Sequence, residues 1–129
     1  MEAVSIQKFI HTSPRKLRLV ADMVRKMVPT RAQDILTITQ RAAAKELLKV
    51  INTAVANAKQ KGLDSEKIAF KKIEINEGPR MKRYRAGTRG RVRPYQRKMS
   101  HIKIVLADDL SEKLKVQSEK SEKRREEKK

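Results

Sequence analysis

The segment from residue 80 to residue 98, RMKRYRAGTRGRVRPYQRK, restricts the fold more than any other part of the sequence. Nine of its nineteen side chains are Lys or Arg, and none is Asp or Glu. Such a segment cannot be buried in a core, because a charge that leaves water without a partner is strongly destabilising. We therefore expect these residues to lie outside the core, in contact with solvent or with a polyanion.

The sequence on both sides of this segment predicts that it forms a β-hairpin. Apolar and polar side chains alternate there as in two strands with one buried face, at Ile68, Phe70, Ile73 and Ile75 and again at Ile102, Ile104 and Leu106. Between them, residues 87–90 (GTRG) are typical of a turn, because glycine tolerates positive φ. With its tip near residues 88–90, each leg would extend about eleven residues, or roughly 36 Å, beyond the sheet. The remaining body should have a radius of gyration of only ~12 Å.

A two-stranded ribbon of this kind is only marginally stable by itself. Ordering each backbone residue costs about 1–2 kcal/mol, and like charges ~7 Å apart, as on Arg89, Arg91 and Arg93, repel by roughly 0.6 kcal/mol per pair in water. We expect a bound polyanion to supply the missing stabilisation. The alternative is a solvated, disordered basic linker, which is less compatible with strand patterns on both sides and two glycines in the turn.

The N-terminal part of the chain predicts a short strand at residues 3–10 and then a first helix. Ser13 followed by Pro14 marks the start of this helix, where the Ser hydroxyl would accept a hydrogen bond from an unpaired backbone amide. Apolar side chains then recur every three or four residues, and the helix ends by Pro29.

Two further helices follow in the sequence. Thr30 and Gln33 resemble a capping box at the start of a brief second helix. The third helix is predicted by a long apolar stripe, and Gly62 stands where a left-handed residue would close it. The stripe consists of Ala44, Leu47, Leu48, Ile51, Ala54, Val55 and Ala58.

These elements predict an α+β fold with about three helices packed on a small antiparallel sheet, a long protruding basic β-hairpin and a charged C-terminal tail. Residues 1–107 should form one domain that includes the extended hairpin at residues 77–101. Residues 108–129 mix charges with few large apolar side chains, so we expect this tail to be disordered rather than a surface helix.

The distribution of charge indicates a polyanionic partner. The formal net charge is +18, and residues 108–129 carry eight basic and seven acidic side chains, so that +17 lies on residues 1–107. Nucleic acid, an anionic membrane surface or an acidic protein would each be attracted. A membrane partner is disfavoured because the basic segment has almost no large apolar side chains beside its charges. No segment has the length and hydropathy of a membrane span, so we expect a soluble chain.

Catalysis and metal binding find no support in the sequence. The chain has no Cys, and His11 and His101 are more typical of structural or RNA-contacting residues than of a catalytic pair. The few acidic residues before residue 108 show neither paired nor metal-ligand spacing. Residues 87–90 lack the Lys and Ser or Thr that would complete a nucleotide-binding loop. We expect no enzyme activity and no cofactor.

The candidate nucleic-acid-binding residues are the basic and aromatic side chains of the hairpin and the basic start of the first helix. Arginine predominates, since its planar guanidinium binds phosphate bidentately and stacks on bases, and the two tyrosines offer faces for unpaired bases. Cations in the first turn of a helix oppose the helix dipole, a penalty that a nearby phosphate would reverse. The set is Arg15, Lys16, Arg18, Arg80, Lys82, Arg83, Tyr84, Arg85, Arg89, Arg91, Arg93, Tyr95, Arg97 and Lys98.

Four segments together resemble the signature segments of a known family. They are SPRKLRLVADMVR (13–25), KVINTAVANA (49–58), EGPRMKRYRAGTRGR (77–91) and SHIKIVL (100–106), and they occur in the order found in the bacterial large-subunit ribosomal protein of the twenty-two family. The chain differs from many relatives at Lys26, where they have Gly, at Val92, where Ala is usual, and at Met99, where Thr is usual. These differences concern local loop geometry more than the role.

The resemblance implies a cytoplasmic, non-enzymatic constituent of the large ribosomal subunit that binds ribosomal RNA and supports subunit assembly. It implies a domain on the outside of the subunit with its hairpin threaded inward. The tip would line the nascent-peptide exit tunnel, beside large-subunit protein number four, the nascent peptide and the macrolide-binding region. The matching tip residues are Gly87, Thr88, Arg89, Gly90 and Arg91.

The main alternative is an architectural DNA-binding protein that uses a basic β-ribbon arm. Such arms insert an apolar wedge at the ribbon tip. Here the tip is Gly-Thr-Arg-Gly, and Pro94 lies well back from it, which argues against such a wedge. The choice of RNA over DNA follows from the resemblance.

Overall fold

The computed structural model describes residues 1–64 and 67–108 and has the predicted α+β fold. Three helices pack on one three-stranded antiparallel sheet, and the last two strands continue beyond it as the long hairpin. In chain order the elements are β1 (Glu2–Ile10), α1 (Pro14–Val24), α2 (Pro29–Ile38), α3 (Ala42–Gln60), β2 (Ile68–Ala86), a single 3-10 turn (Thr88–Gly90) and β3 (Val92–Asp108). The tail predicted to be disordered was residues 108–129; Asp108 is instead the last residue of β3, and residues 109–129 lie outside the described residues.

The sheet has the order β1-β3-β2, so β3 is the central strand and pairs antiparallel with both neighbours. Its side chains Ile102, Ile104 and Leu106 are fully buried and belong to the same apolar cluster as α1 and α3. Burial of each such side chain contributes about 1.5–3 kcal/mol. The core therefore lies between the helices and one face of the sheet, as the alternating pattern predicted.

The apolar stripe and the C-terminal cap of α3 are confirmed. All the predicted stripe residues are buried except Leu48, which is partly buried against the core. Gly62 has a φ of 76°, and its N–H donates to the carbonyl of Lys59 while the N–H of Leu63 donates to that of Ala58. This pair of backbone hydrogen bonds is a Schellman motif, and Leu63 is buried beside it.

The side-chain caps predicted for the first two helices are wrong. Ser13 is the N-cap of α1, but its hydroxyl makes no capping hydrogen bond. Thr30 and Gln33 form no capping box, because α2 begins one residue earlier, at Pro29. Gln33 instead donates from Nε2 to Oδ1 of Asn52 on α3, at 2.9 Å. Proline has no N–H and its φ already suits the first helical position, so each helix begins without a hydroxyl cap.

Two bulges shift the register of β2 against β3, between Phe70 and Lys72 and between Glu77 and Arg80. The first explains why the buried positions change phase after Phe70, since an extra residue on one strand reverses the alternation. The second lies at Gly78, where an added Cβ would come within 3.2 Å of the Met99 backbone and of the His101 ring.

A third bulge lies in β1, between Gln7 and Ile10, beside the second bulge of β2. Phe9 adopts a left-handed φ of 59° there, and its ring lies edge-on to His101 with the centroids 5.0 Å apart. The Phe9 N–H donates to Nδ1 of His101 at 3.0 Å, so this nitrogen is an acceptor. His101 therefore has a structural role at the point where the three-stranded sheet becomes a two-stranded hairpin.

Side chains from the helices cap both edge strands of the sheet. On β2, the Arg18 guanidinium donates to the Ile75 carbonyl at 3.1 Å, and Arg25 donates to Ile73 at 3.5 Å. On β1, Asn57 donates to the Val4 carbonyl at 3.1 Å and Lys61 donates to that of Glu2 at 2.8 Å. These bonds satisfy carbonyls that have no neighbouring strand.

No helix among the described residues combines the length and the hydropathy needed to cross a membrane.

Candidate nucleic-acid interface

The hairpin beyond the sheet is the most basic part of the molecule, and it has no core of its own. We call residues 78–98 the arm and the rest of the described chain the body. No residue of the arm is buried, whereas Met99 and Ser100, which follow directly on β3, are buried in the body. The Ser100 hydroxyl donates to the Thr12 carbonyl, which joins the base of the arm to the loop that leads into α1. Hydrogen bonds of the backbone ladder therefore hold the arm together, and apolar packing does not.

The register of the ladder sorts the arm side chains onto two faces. Arg80 pairs with Lys98, and the pairing continues one residue at a time until Ala86 meets Val92. Directly opposite residues share a face, and successive residues alternate between faces. The arginine face therefore carries Met81, Arg83, Arg85, Arg93, Tyr95 and Arg97. The opposite face carries Arg80, Lys82, Tyr84, Ala86, Val92, Pro94, Gln96 and Lys98.

At the base of the arm, one carboxylate neutralises a pair of like charges. Arg80 and Lys98 lie directly opposite each other, an arrangement that is destabilising without a counterion. Glu77 accepts from Arg80 at 3.0 Å, and Lys98 lies 3.4 Å from the same oxygen. The hydrogen bond from Arg80 lowers the pKa of Glu77 below its ordinary value, although desolvation opposes the shift. Glu77 was not among the predicted site residues, but it is the last acidic residue in the sequence before Asp108.

Towards the tip, a second pair of like charges has no such neutralisation. Arg85 and Arg93 are directly opposite in the ladder, and within the part of the chain that the structure describes neither forms an ion pair. Arg85 instead covers the ring of Tyr95, with Cζ 4.9 Å from the ring centroid. This cation–π contact orients one guanidinium but leaves the net charge unchanged. The two charges are therefore not neutralised by any acidic side chain among the described residues.

The tip is a tight turn that depends on its two glycines for different reasons. Gly87 donates its N–H to the Arg91 carbonyl at 2.6 Å, and a Cβ on Gly87 would lie 2.8 Å from that oxygen. Gly90 has open space around it but a φ of 71°. Arg89 also adopts a left-handed φ, 57°, which is unusual for a residue with a side chain. The predicted turn is confirmed, and it presents Thr88 and Arg89 at the end of the arm.

The basic start of α1 lies beside the base of the arm but has two different roles. Arg15 and Lys16 are exposed, in agreement with a binding role. Arg18 uses its guanidinium to cap the Ile75 carbonyl of β2, so part of its hydrogen-bonding capacity is structural. Lys16 lines a cleft of about 490 Å³ together with His11 and Arg41, from the α2–α3 junction.

Among residues 1–64 and 67–108, no cluster of three or more His, Asp or Glu side chains could hold a metal ion. The polar groups of the arm are guanidinium, ammonium, phenol, the Thr88 hydroxyl, the Gln96 amide and the backbone.

The comparison with known proteins assigns a family to this arrangement. Residues 5–107 match the model of the family described as ribosomal protein L22p/L17e. The chain belongs to this family. The large ribosomal subunit protein uL22 of Leptospira biflexa serovar Patoc is 42% identical over 110 residues, which cover 84% of this chain and 95% of the relative. Those of Mycoplasma capricolum and Syntrophus aciditrophicus are each 40% identical, covering 84% and 82% of this chain and 99% and 97% of the relatives.

Membership of the L22p/L17e family confirms the resemblance found in the four signature segments, which fall almost entirely within the matched residues. It identifies a ribosomal protein of the large-subunit type and not an enzyme. The expected location, in the cytoplasm within the ribosome, follows from the same membership.

Proposed function

We propose that the chain binds large-subunit ribosomal RNA through its arm and through the exposed cations at the start of α1, and that this binding supports subunit assembly. The single observation that carries the proposal is the Arg85 and Arg93 pair, which is directly opposed and has no anion near it among the described residues. The planar guanidinium can bind a phosphate through two parallel hydrogen bonds. Bound RNA would supply the stabilisation that the arm lacks.

The tip of the arm has a second role in this proposal, at the exit tunnel. Residues 87–91 line the exit tunnel, next to large-subunit protein number four and the nascent peptide. The left-handed Arg89 and Gly90 keep this turn narrow enough to end a two-stranded ribbon without widening it. The family match over residues 5–107 supports one RNA-binding domain at residues 1–107, with its hairpin at residues 77–101.

The test of RNA binding compares two polyanions at several salt concentrations. We expect the purified chain to bind structured large-subunit RNA much more tightly than duplex DNA of equal length, with an affinity that falls steeply as salt rises. Equal affinities would favour the architectural DNA-binding alternative. Binding that does not respond to salt would contradict a phosphate-based interface altogether.

Hydrogen exchange provides an independent test of the part played by RNA. Amides of the arm should exchange rapidly in the isolated protein, since no buried side chain protects them, and slowly in assembled large subunits. Strong protection in the isolated protein would show that the ladder is stable without RNA.

A further inference from the structure

A concave site lies just below the tip of the arm. It encloses about 460 Å³, and its walls come from both legs, with Arg85, Gly87 and Thr88 on one leg and Arg93 and Tyr95 on the other. This volume lies within the range of about 300–1,000 Å³ that is usual for small-molecule sites. No acidic side chain contributes to its walls.

One part of this site is a cation–π pair of two planar groups. The Arg85 guanidinium lies over the half-buried Tyr95 ring at 4.9 Å from the centroid, and the two residues are in adjacent pairs of the ladder on the arginine face. Both residues line the site, so the guanidinium and the ring are both accessible to a ligand there. Unpaired nucleobases stack on aromatic rings and on guanidinium planes.

The facing wall offers a phosphate contact. Arg93 is opposite Arg85 in the ladder, and no described acidic residue neutralises either charge. A Cβ on Gly87 would be in van der Waals contact with Arg93, at 3.5 Å from Nε and 3.6 Å from Cγ, so a larger side chain at this position would occupy the space beside Arg93. The absence of a side chain at Gly87 thus keeps Arg93 and the interior of the site accessible.

We propose that this concavity is a subsite for a single unpaired nucleotide, whose base stacks on Arg85 and Tyr95 and whose phosphate is bound by Arg93. The proposal rests on the function proposed above and specifies which RNA feature the arm selects. Duplex RNA has its bases stacked within the helix and would use only the phosphate contact. The acidic side chains of a peptide would neutralise the arginines but would offer no ring to stack on Arg85 and Tyr95.

The experiment uses the full-length chain and three RNA duplexes of the same sequence. One has a single bulged 2-aminopurine nucleotide, whose fluorescence is quenched on stacking, one has an abasic residue in the bulge, and one has no bulge. We expect quenching of the first and an affinity for it about 5- to 100-fold higher than for the abasic duplex, as base-aromatic stacking implies.

Matched variants locate the effect. Tyr95→Leu and Arg85→Lys should remove both the quenching and the preference for the base, because they remove one planar group each, and Arg85→Lys keeps the charge. Tyr95→Phe keeps the ring and should keep both signals. Phe9→Leu, which removes an exposed ring of the body, should change neither. Far-UV circular dichroism of each variant verifies that the helices of the body are intact.

The outcomes separate this proposal from the one on which it rests. Equal affinity for the 2-aminopurine and abasic duplexes, or quenching that persists in folded Tyr95→Leu, would overturn the nucleotide subsite and leave RNA binding standing. Failure to bind any of the three duplexes or large-subunit RNA would overturn the proposed function itself.

Discussion

The body and the arm are built from the same two strands, β2 and β3, but are stabilised in different ways. In the body, β3 presents fully buried side chains such as Ile102 and Ile104 to the helices. In the arm, the same ladder continues through residues 78–98 without one buried side chain. The same regular hydrogen bonding therefore continues from a region that apolar packing stabilises into a region that has no apolar core of its own.

The largest effect should come from truncating a core side chain and not an arm side chain. Leu47→Ala removes a fully buried side chain of α3 and should lower the free energy of unfolding by about 2–5 kcal/mol. Val92→Ala, at an arm position that is 61% exposed, should change it by less than ~0.5 kcal/mol. Urea denaturation measures both. Comparable losses would mean that the arm has a core contribution of its own.

Removing the unneutralised pair should weaken RNA binding without destabilising the body. The double variant Arg85→Gln, Arg93→Gln should lower affinity for large-subunit RNA on the order of tenfold. The negative slope of log affinity against log salt should become shallower by about 1.4 if each arginine contacts one phosphate. Filter binding at several salt concentrations measures this slope.

A variant with the same loss of charge in the body is the control for that experiment. Lys26→Gln combined with Arg31→Gln changes two exposed cations outside the arm. It should leave the slope nearly unchanged. An equal fall in both double variants would mean that net charge, and not the position of the arginines, determines binding.

Substitution of Arg18 and of Arg15 should affect stability differently, because Arg18 caps a strand carbonyl and Arg15 does not. Arg18→Met leaves the Ile75 carbonyl without its donor and should lower the free energy of unfolding by ~1 kcal/mol. Arg15→Met, at an exposed position, should leave stability within ~0.5 kcal/mol and should weaken RNA binding. Thermal denaturation measures the first difference. A stable Arg18→Met protein would show that the cap on β2 contributes nothing.

The smallest effect concerns pH at the base of the arm. Because the hydrogen bond from Arg80 lowers the pKa of Glu77, its stabilising contribution is present above the ordinary glutamate pKa of about 4.3 and is lost as pH falls through the lowered pKa. Amide shifts of Arg80 and Lys98 should therefore change on acidification, and Glu77→Gln should abolish this change. Glu74→Gln, in the body sheet, should leave it intact. Identical titrations in all three proteins would refute the role of Glu77.

The sequence predicted the body well where one physical effect dominates. The α3 stripe and the Gly62 cap were both confirmed, since a long apolar face and a left-handed glycine leave few alternatives. The hydroxyl caps at Ser13 and Thr30 were wrong, because an adjacent proline can start a helix without them.

The arm was predicted in outline but not in its two faces. The register of the ladder determines that Arg85 lies opposite Arg93 and that Glu77 neutralises only the pair at the start of the arm. This register depends on which residues form the turn and on the bulge near Gly78. A shift of one residue would put different side chains on each face. The hydrogen bond from Arg18 to the Ile75 carbonyl was missed for a similar reason, since it depends on how α1 lies along β2.

The four side chains that cap the outer carbonyls of β1 and β2 also affect how one copy of the chain can contact another. An open sheet edge invites a second copy to add its own strand, and a molecule with strands this long would be especially exposed to such polymerisation. Guanidinium, amide and ammonium groups that already occupy those acceptors turn the flanks of the sheet into poor templates. Self-association through the sheet is thereby discouraged.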